Sequence, residues 1–516
     1  MKRIIYLTFL IATTLGLNSC KKFLNVNPPS DLSGNNYWQT KADVENFTNG
    51  LYQLFRQATF RMDMTAPPGN DEFPFFAWGG DMRGAPVRAN SGSFLFRDYI
   101  NFLAANNIPT VVNSLPNGFS DYFNAPRFTK WDRFYKVIAA ANIAFDRIDG
   151  VPDPTLTAAD KARYKSEAVF MRCITYFFLV RLYGDVPYYT NAYNTTPLKR
   201  MKMVEVLKNC AADMKQAKDG LPWTYDDPAK VAVRAMRGSA LVLLMHINMW
   251  LASFDDTNAT AYYKEVDSLG DELKDKNGGA YTLLPLSSTH QIFKGRSKEG
   301  LFEIPQNVNY GESFGYSAFS DNVLYAPYKN KAITGSYLSY VTDFMDKLYP
   351  PGVADKRITT WFKAGTYDKG DQTFLMLKFT NVYANQNAED ANPDDNQTVF
   401  RLPDAYLLQA EANANLGNDT KAQQLANLVR ARAGAANLTT TGKDLADDIF
   451  YERCRELMGE GQYWYDVVRT KRIIDVTYKF GYHCTVEQFK AGAWTWPIDK
   501  SALINNPGIT LNTYWQ

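Results

Sequence analysis

Apolar positions recur along most of this chain at helical spacing. Trp131, Tyr135, Ile138 and Asn142 lie at i, i+4, i+7 and i+11, one stripe of a helix. A partner helix is predicted over about 158–183, stopped by Gly184 with Pro187 just beyond. Thr40-Lys41-Ala42-Asp43 has the form of a capping box, with Asp in the usual place of Glu, and opens a helix to about Gln57. A second pair is predicted over about 203–219 and 232–253, the latter carrying the apolar run Ala240 to Leu251, and a further helix over about 259–275. The last set covers about 403–416, 419–433 and 443–473. There Gly417-Asn418 separates two helices, and Ala410, Ala412, Ala414 and Ala422 put small residues where two helices must approach closely. The pattern predicts a mainly α fold of imperfect tetratricopeptide-like hairpins.

Two long stretches break the pattern, about 60–127 and about 278–400. They hold Gly, Pro, Asn and Asp, as loops do, but they are also rich in rings. The first contains Phe73-Pro74-Phe75-Phe76-Ala77-Trp78 and then Gly79-Gly80-Asp81-Met82-Arg83-Gly84. The second contains Tyr310, Phe314, Tyr316, Phe319, Tyr325, Tyr328, Trp361, Phe362 and Tyr367. Long irregular segments inside a compact domain are usually functional. We therefore expect these two to form the binding part, with minor β structure, on a helical scaffold of about 31–57, 128–276 and 401–475.

The amino terminus reads as an address. Met1-Lys2-Arg3 precedes an apolar run from Ile4 to Leu17, too short to span a membrane and suited to a secretory signal over residues 1–19. Leu17-Asn18-Ser19-Cys20 resembles a lipobox, which makes Cys20 the expected site of lipid attachment and residue 20 the start of the mature domain, 20–516.

Composition narrows the function. Across 516 residues, 56 Lys and Arg nearly balance 54 Asp and Glu, a formal net charge of +2, which argues against a nucleic-acid binder. Three histidines, His246, His290 and His483, stand at no metal-ligand spacing. The chain carries 32 Tyr, 32 Phe and 10 Trp, more rings than a core needs. Cys173, Cys210, Cys454 and Cys484 show no framework spacing and are read as small core residues.

Motifs suggesting catalysis carry little weight. Gly311-Glu312-Ser313-Phe314-Gly315 fits the pattern of a hydrolase nucleophile, yet its flanks are a poor strand and a poor helix. Glu456 and Glu460, four apart on a predicted helix, are read with Arg453 and Arg455 as an ion network that fixes packing, not as an acid–base pair. Asn392-Pro393-Asp394-Asp395-Asn396 is read as a solvated turn, not a calcium loop. We expect a binding protein, not an enzyme, with neither cofactor nor metal. Trp78, Asp81 and Arg83 are the first candidates for ligand contact: an exposed ring for the C–H face of a sugar, and an acceptor and a donor for its hydroxyls. Tyr310, Phe314, Tyr316 and Trp361 are the second set.

The residues in order resemble the SusD/RagB family of outer-membrane nutrient-binding lipoproteins. Phe23-Leu24-Asn25-Val26-Asn27-Pro28-Pro29 and Trp38 through Thr40 resemble the family's start. Glu167-Ala168, Phe170, Arg172, Tyr176-Phe177 and Tyr183-Gly184-Asp185-Val186-Pro187 resemble its helix-and-turn motif. Arg401-Leu402, Tyr406-Leu407, Ala410-Glu411-Ala412, Asn427 and Val429-Arg430 resemble the late repeat. Glu452-Arg453, Arg455-Glu456-Leu457, Glu460-Gly461-Gln462, Trp464, Asp466 and Arg469 resemble the last long helix. The resemblance implies a cell-surface lipoprotein that binds an oligosaccharide and passes it to a SusC-like TonB-dependent transporter in the outer membrane. A RagB-like peptide receptor and a pure helical-repeat scaffold are the alternatives.

Overall fold

The computed structural model describes residues 37–516 except 61–72, 91–96, 116–122, 308, 310–311, 385–390, 505 and 507. Cys20, the signal segment and Tyr310 lie outside the described residues. Helices dominate, and every sheet among the described residues is a two-stranded pairing.

Helix α1 (Lys41–Thr59) begins with the predicted capping box: Thr40 and Asp43 each satisfy the other's backbone N–H. Helix α2 (Asp132–Arg147) packs against α3 (Ala158–Tyr183), which has its own capping box from Thr157 and Asp160 and ends at Gly184. Next come α4 (Met203–Ala217), α5 (Arg237–Phe254) and α6 (Ala259–Asp275), each packed on its predecessor. The array continues through α7 (Leu402–Asn415), α8 (Asp419–Arg432) and α9 (Gly442–Glu456). At the α7–α8–α9 seam Ala410, Ala414, Ala422 and Ala426 pack with Leu407, Leu425, Val429, Leu445 and Ile449 in a small core of their own. Close approach through alanines is what the sequence pattern predicts.

Two helices are buried nearly all round, so neither shows a one-sided apolar stripe. From Tyr164 to Tyr183 almost every residue of α3 is buried, as is Gly238 to Ala252 of α5. They form the spine on which the irregular segments rest. Phe75 stacks on Phe178 of α3 at 4.8 Å, and Phe302 meets Phe170 at 5.0 Å. Fully burying each such ring contributes about 1.5–3 kcal/mol.

The final helix differs from the expected single run over 443–473. Helix α9 stops at Glu456, a turn follows, and α10 (Tyr463–Arg469) starts afresh. Gly459 and Gly461 both stand at φ +81°, a left-handed backbone that other residues resist. Glu456 and Glu460 are therefore not neighbours along a helix. They meet instead at Arg401, whose Nη1 donates to Glu456 Oε1 and whose Nε donates to Glu460 Oε2, both at 2.6 Å.

The two interruptions are tied together. Strand β1 (Val87–Ala89) pairs antiparallel with β5 (Leu338–Tyr340), with Val87 opposite Tyr340. Strand β4 (Gly300–Ile304) pairs with β8 (Gln397–Arg401) and clips the base of the second interruption. The small hairpins β2 (Val186–Pro187) with β3 (Arg200–Met201), and β6 (Val382–Ala384) with β7 (Ala391–Pro393), complete the β structure. Asp394, Asp395 and Asn396, expected in a solvated turn, are buried. Asn396 donates to Glu303 Oε2 at 2.9 Å, and Asn381 donates to Asp395, whose carboxyl burial pushes up to about 8.

Candidate ligand-binding face

Most of the predicted contact residues are structural. Trp78 lies in a buried π-helical turn, Ala77–Met82, and is 1% exposed. Its ring centroid is 4.4 Å from that of Tyr99 and its plane is parallel to Phe128. The expected open platform is thus covered on both sides. Asp81 is equally buried and accepts the Gly461 N–H at 2.7 Å; burial pushes its carboxyl well up. Arg83 is sandwiched between Trp464, 4.5 Å from its guanidinium carbon, and Trp496, at 4.9 Å. It donates to Asn106 Oδ1 at 2.8 Å and to the Thr495 carbonyl at 2.9 Å, and burial pulls it down to about 9.

The second set divides. Phe314, 3% exposed, stacks on Phe60. Trp361, 2% exposed, donates from Nε1 to Thr289 Oγ1 at 2.9 Å, and its face is covered by Lys378 Nζ at 4.5 Å. Lys378 in turn is held by Glu460 Oε1 at 2.5 Å, so Trp361 roofs the buried ion network around Arg401. Tyr316 alone of the described candidates is half-buried.

Tyr316 belongs to a cluster drawn from both interruptions. Arg97 is its hub, with its guanidinium carbon 4.0 Å from the ring centroid of Tyr337, 5.2 Å from Tyr316 and 5.8 Å from Phe123. Arg97 Nη1 donates to Tyr99 Oη at 3.0 Å, and Nη2 lies 3.2 Å from Asp321 Oδ2. Lys329 shares that carboxylate at 2.5 Å and lies 4.7 Å from the Tyr337 ring. Burial opposes the charge of Arg97, but Tyr99 and Asp321 outweigh it and raise its pKa; burial pulls Lys329 down. Tyr99 Oη donates to Asn322 Oδ1 at 3.0 Å. Tyr99 opens the short helix Tyr99–Ala104, Asp321 and Asn322 sit in Ser320–Val323, and Tyr337 leads into β5. Beneath them Trp78 and Phe123, 5.7 Å apart, form the floor. The face thus presents two half-buried side chains, Tyr316 and Lys329, backed from within by the buried Arg97, which shares one carboxylate with Lys329. It can stack on the apolar side of a ligand ring and supply hydrogen bonds at its rim. Sequence reading passed over Arg97, Tyr99, Phe123, Lys329 and Tyr337; their one signal was two cations amid aromatic residues in the irregular segments.

The described residues of the catalytic-looking motifs are held by their neighbours. Ser313 Oγ accepts the Gly315 N–H at 3.1 Å, and Glu312 is clasped by Arg56 at 2.7 Å. Glu452, Glu456 and Glu460 are engaged by Arg357, Arg401, Arg430, Arg432 and Lys378. The four cysteines from Cys173 to Cys484 are free thiols. No described helix is long and apolar enough to cross a membrane.

Comparison with known proteins gives a consistent picture. The profile of the SusD family matches residues 326–515, and one described as starch-binding associating with outer membrane matches residues 93–248. The crystal structure of a SusD homologue from Bacteroides thetaiotaomicron is 41% identical, covers 93% of this chain and all of its own, and superposes with a TM-score of 0.83. SusD-like protein P38 of Formosa agariphila is 26% identical over 98% of both chains. A laminarin-binding SusD-like protein, 21% identical and covering 92% of this chain and 99% of its own, shares the fold with a TM-score of 0.66.

Proposed function

Since the chain belongs to the SusD/RagB family, we propose that it is a cell-surface lipoprotein that captures an oligosaccharide and hands it to a SusC-like TonB-dependent transporter. The lipid on Cys20 tethers it to the outer membrane, and the domain faces the cell exterior. Capture involves no bond chemistry and no cofactor.

One observation carries this reading. Two ring-rich segments far apart in sequence converge on a single face that ends in the half-buried Tyr316, backed by Arg97 and Lys329. A sugar presents an apolar C–H side with a rim of hydroxyls, and this face offers the complement. The fold shared with a laminarin-binding protein and the outer-membrane association in the family description agree with it. Weak binding at each contact suits a protein that must release its cargo.

The test is binding of the purified protein to an array of plant, host and microbial glycans beside mixed peptides, repeated with Tyr316→Ala. Binding to one glycan class that Tyr316→Ala weakens supports the reading. Binding confined to peptides replaces the glycan with a peptide cargo, and binding indifferent to Tyr316→Ala removes this face from the site.

A further inference from the structure

A second groove lies on the helical scaffold, lined by none of the residues around Tyr316. It runs over α3 between the end of α2 and α4, with a volume of about 540 Å³. That falls within the roughly 300–1,000 Å³ of small-molecule sites. At its rim Phe145 is 37% exposed, unusual for a ring in a scaffold whose other aromatic residues are mostly buried.

The charges around this ring do not cancel. Lys165 Nζ lies 4.4 Å from the Phe145 centroid and 2.5 Å from Asp149 Oδ2. Arg172 is buried, held by Asp213 at 2.9 Å and by Asn142 Oδ1 at 3.0 Å. Arg172 Nε is buried without a partner. Lys161 Nζ donates to the carbonyl oxygens of Asp149, at 2.9 Å, and Val151, at 3.4 Å, and forms no ion pair among the described residues. Three cations therefore face two carboxylates, leaving one positive charge beside an exposed ring.

We propose that this groove is a second binding site, selective for a saccharide unit bearing an acidic group. The sugar's C–H side packs against Phe145, its carboxylate or sulfate meets Lys161 and Lys165, and its hydroxyls reach Asp213. The observations stand apart from the Tyr316 face, so the two sites can fail separately.

Calorimetric titration of the purified protein tests this with three probes: tetragalacturonate, a sulfated galactotetraose and uncharged maltotetraose. At least one anionic probe is expected to bind, and more weakly as salt is added. Lys161→Gln should weaken it by roughly tenfold, the loss expected for one contact to a charged group, and Phe145→Ala by a similar factor for one stacked ring, both with unchanged far-UV circular dichroism. Tyr316→Ala should leave it unaltered. Which anionic probe binds names the acidic group. Equal binding of maltotetraose, binding of neither anionic probe, or loss in Tyr316→Ala but not in Phe145→Ala would overturn the proposal.

Discussion

Phe60 and Phe314 stack with their centroids 4.0 Å apart and their planes 19° from parallel. This pair bolts the end of α1 to the second irregular segment, two residues before Tyr316. Phe314→Ala is expected to cost about 3–5 kcal/mol in denaturant unfolding. Because the ring props Tyr316 without meeting ligand, glycan affinity should also fall in the folded fraction.

Trp78 and Tyr316 should separate folding from binding. Trp78 is enclosed by Tyr99, Phe123 and Phe128, so Trp78→Ala should cost about 3–5 kcal/mol by urea titration. Tyr316→Ala should cost about 1 kcal/mol and lower glycan affinity roughly tenfold, one stacked ring's share. A Trp78→Ala protein of native stability with lost affinity would restore Trp78 to the site.

The buried network sets an acid limit. Burial alone would raise the Glu452 carboxyl, but Arg357, Arg455 and Arg430 outweigh it and hold it at about 2; Glu456 is held low in the same way by Arg432, Arg401 and Arg357. Carboxylates depressed in the folded state contribute stability above their unfolded value of 4.5, and it is lost as pH falls toward 2. Thermal unfolding followed from pH 6 to pH 3 should therefore show a steep loss below about 4.5. Glu456→Gln, which leaves buried guanidinium groups underpaired, should destabilise at pH 7 by about 3–5 kcal/mol.

Glu303 works in the opposite sense. It is 2% exposed, and burial pushes its carboxyl up to about 7 despite hydrogen bonds from Asn396 and the Arg296 N–H. Between 4.5 and about 7 the folded chain holds a proton that the unfolded chain releases, so this group's contribution falls as pH rises. Glu303→Gln keeps an acceptor oxygen and cannot ionise. Its melting temperature should gain on the parent protein from pH 5 to pH 8, by an amount equivalent to about 2 kcal/mol; parallel curves would contradict the assignment.

Gly80 is a steric requirement. A Cβ there would lie 2.2 Å from the Gly461 carbonyl oxygen, with backbone on both sides of the contact. Gly80→Ala should sharply reduce the yield of folded protein, measured by protease resistance after purification.

Legibility varied with what each pattern reports. Helices α3 and α6 were legible almost to the residue, α3 because Gly184 marks its end and α6 because its apolar positions recur on one face. The break after Glu456 was missed although Gly459 and Gly461 stand in it, because the charged and apolar residues on both sides fit one helix; the two glycines take their left-handed backbone against Phe319, Phe379 and Phe76. At the candidate face, the richness in rings drew attention to the two irregular segments. It could not tell which rings face outward. Trp78 and Arg83 sit among glycines, as surface loop residues do, yet those glycines are what let the π-helical turn press against α10. Arg97 and Lys329 went unnoticed because their sharing of Asp321 depends on a tertiary meeting with no local signature.

Arg83 Nη2 donates to the carbonyl oxygens of Ala493 and Thr495, and Trp496 closes one side of its guanidinium. A side chain from the first irregular segment is therefore enclosed by residues 493–496. The burial of Arg83 thus depends on residues some four hundred positions later in the chain, a contact of very long range whose loop must close before the π-helical turn reaches its final packing.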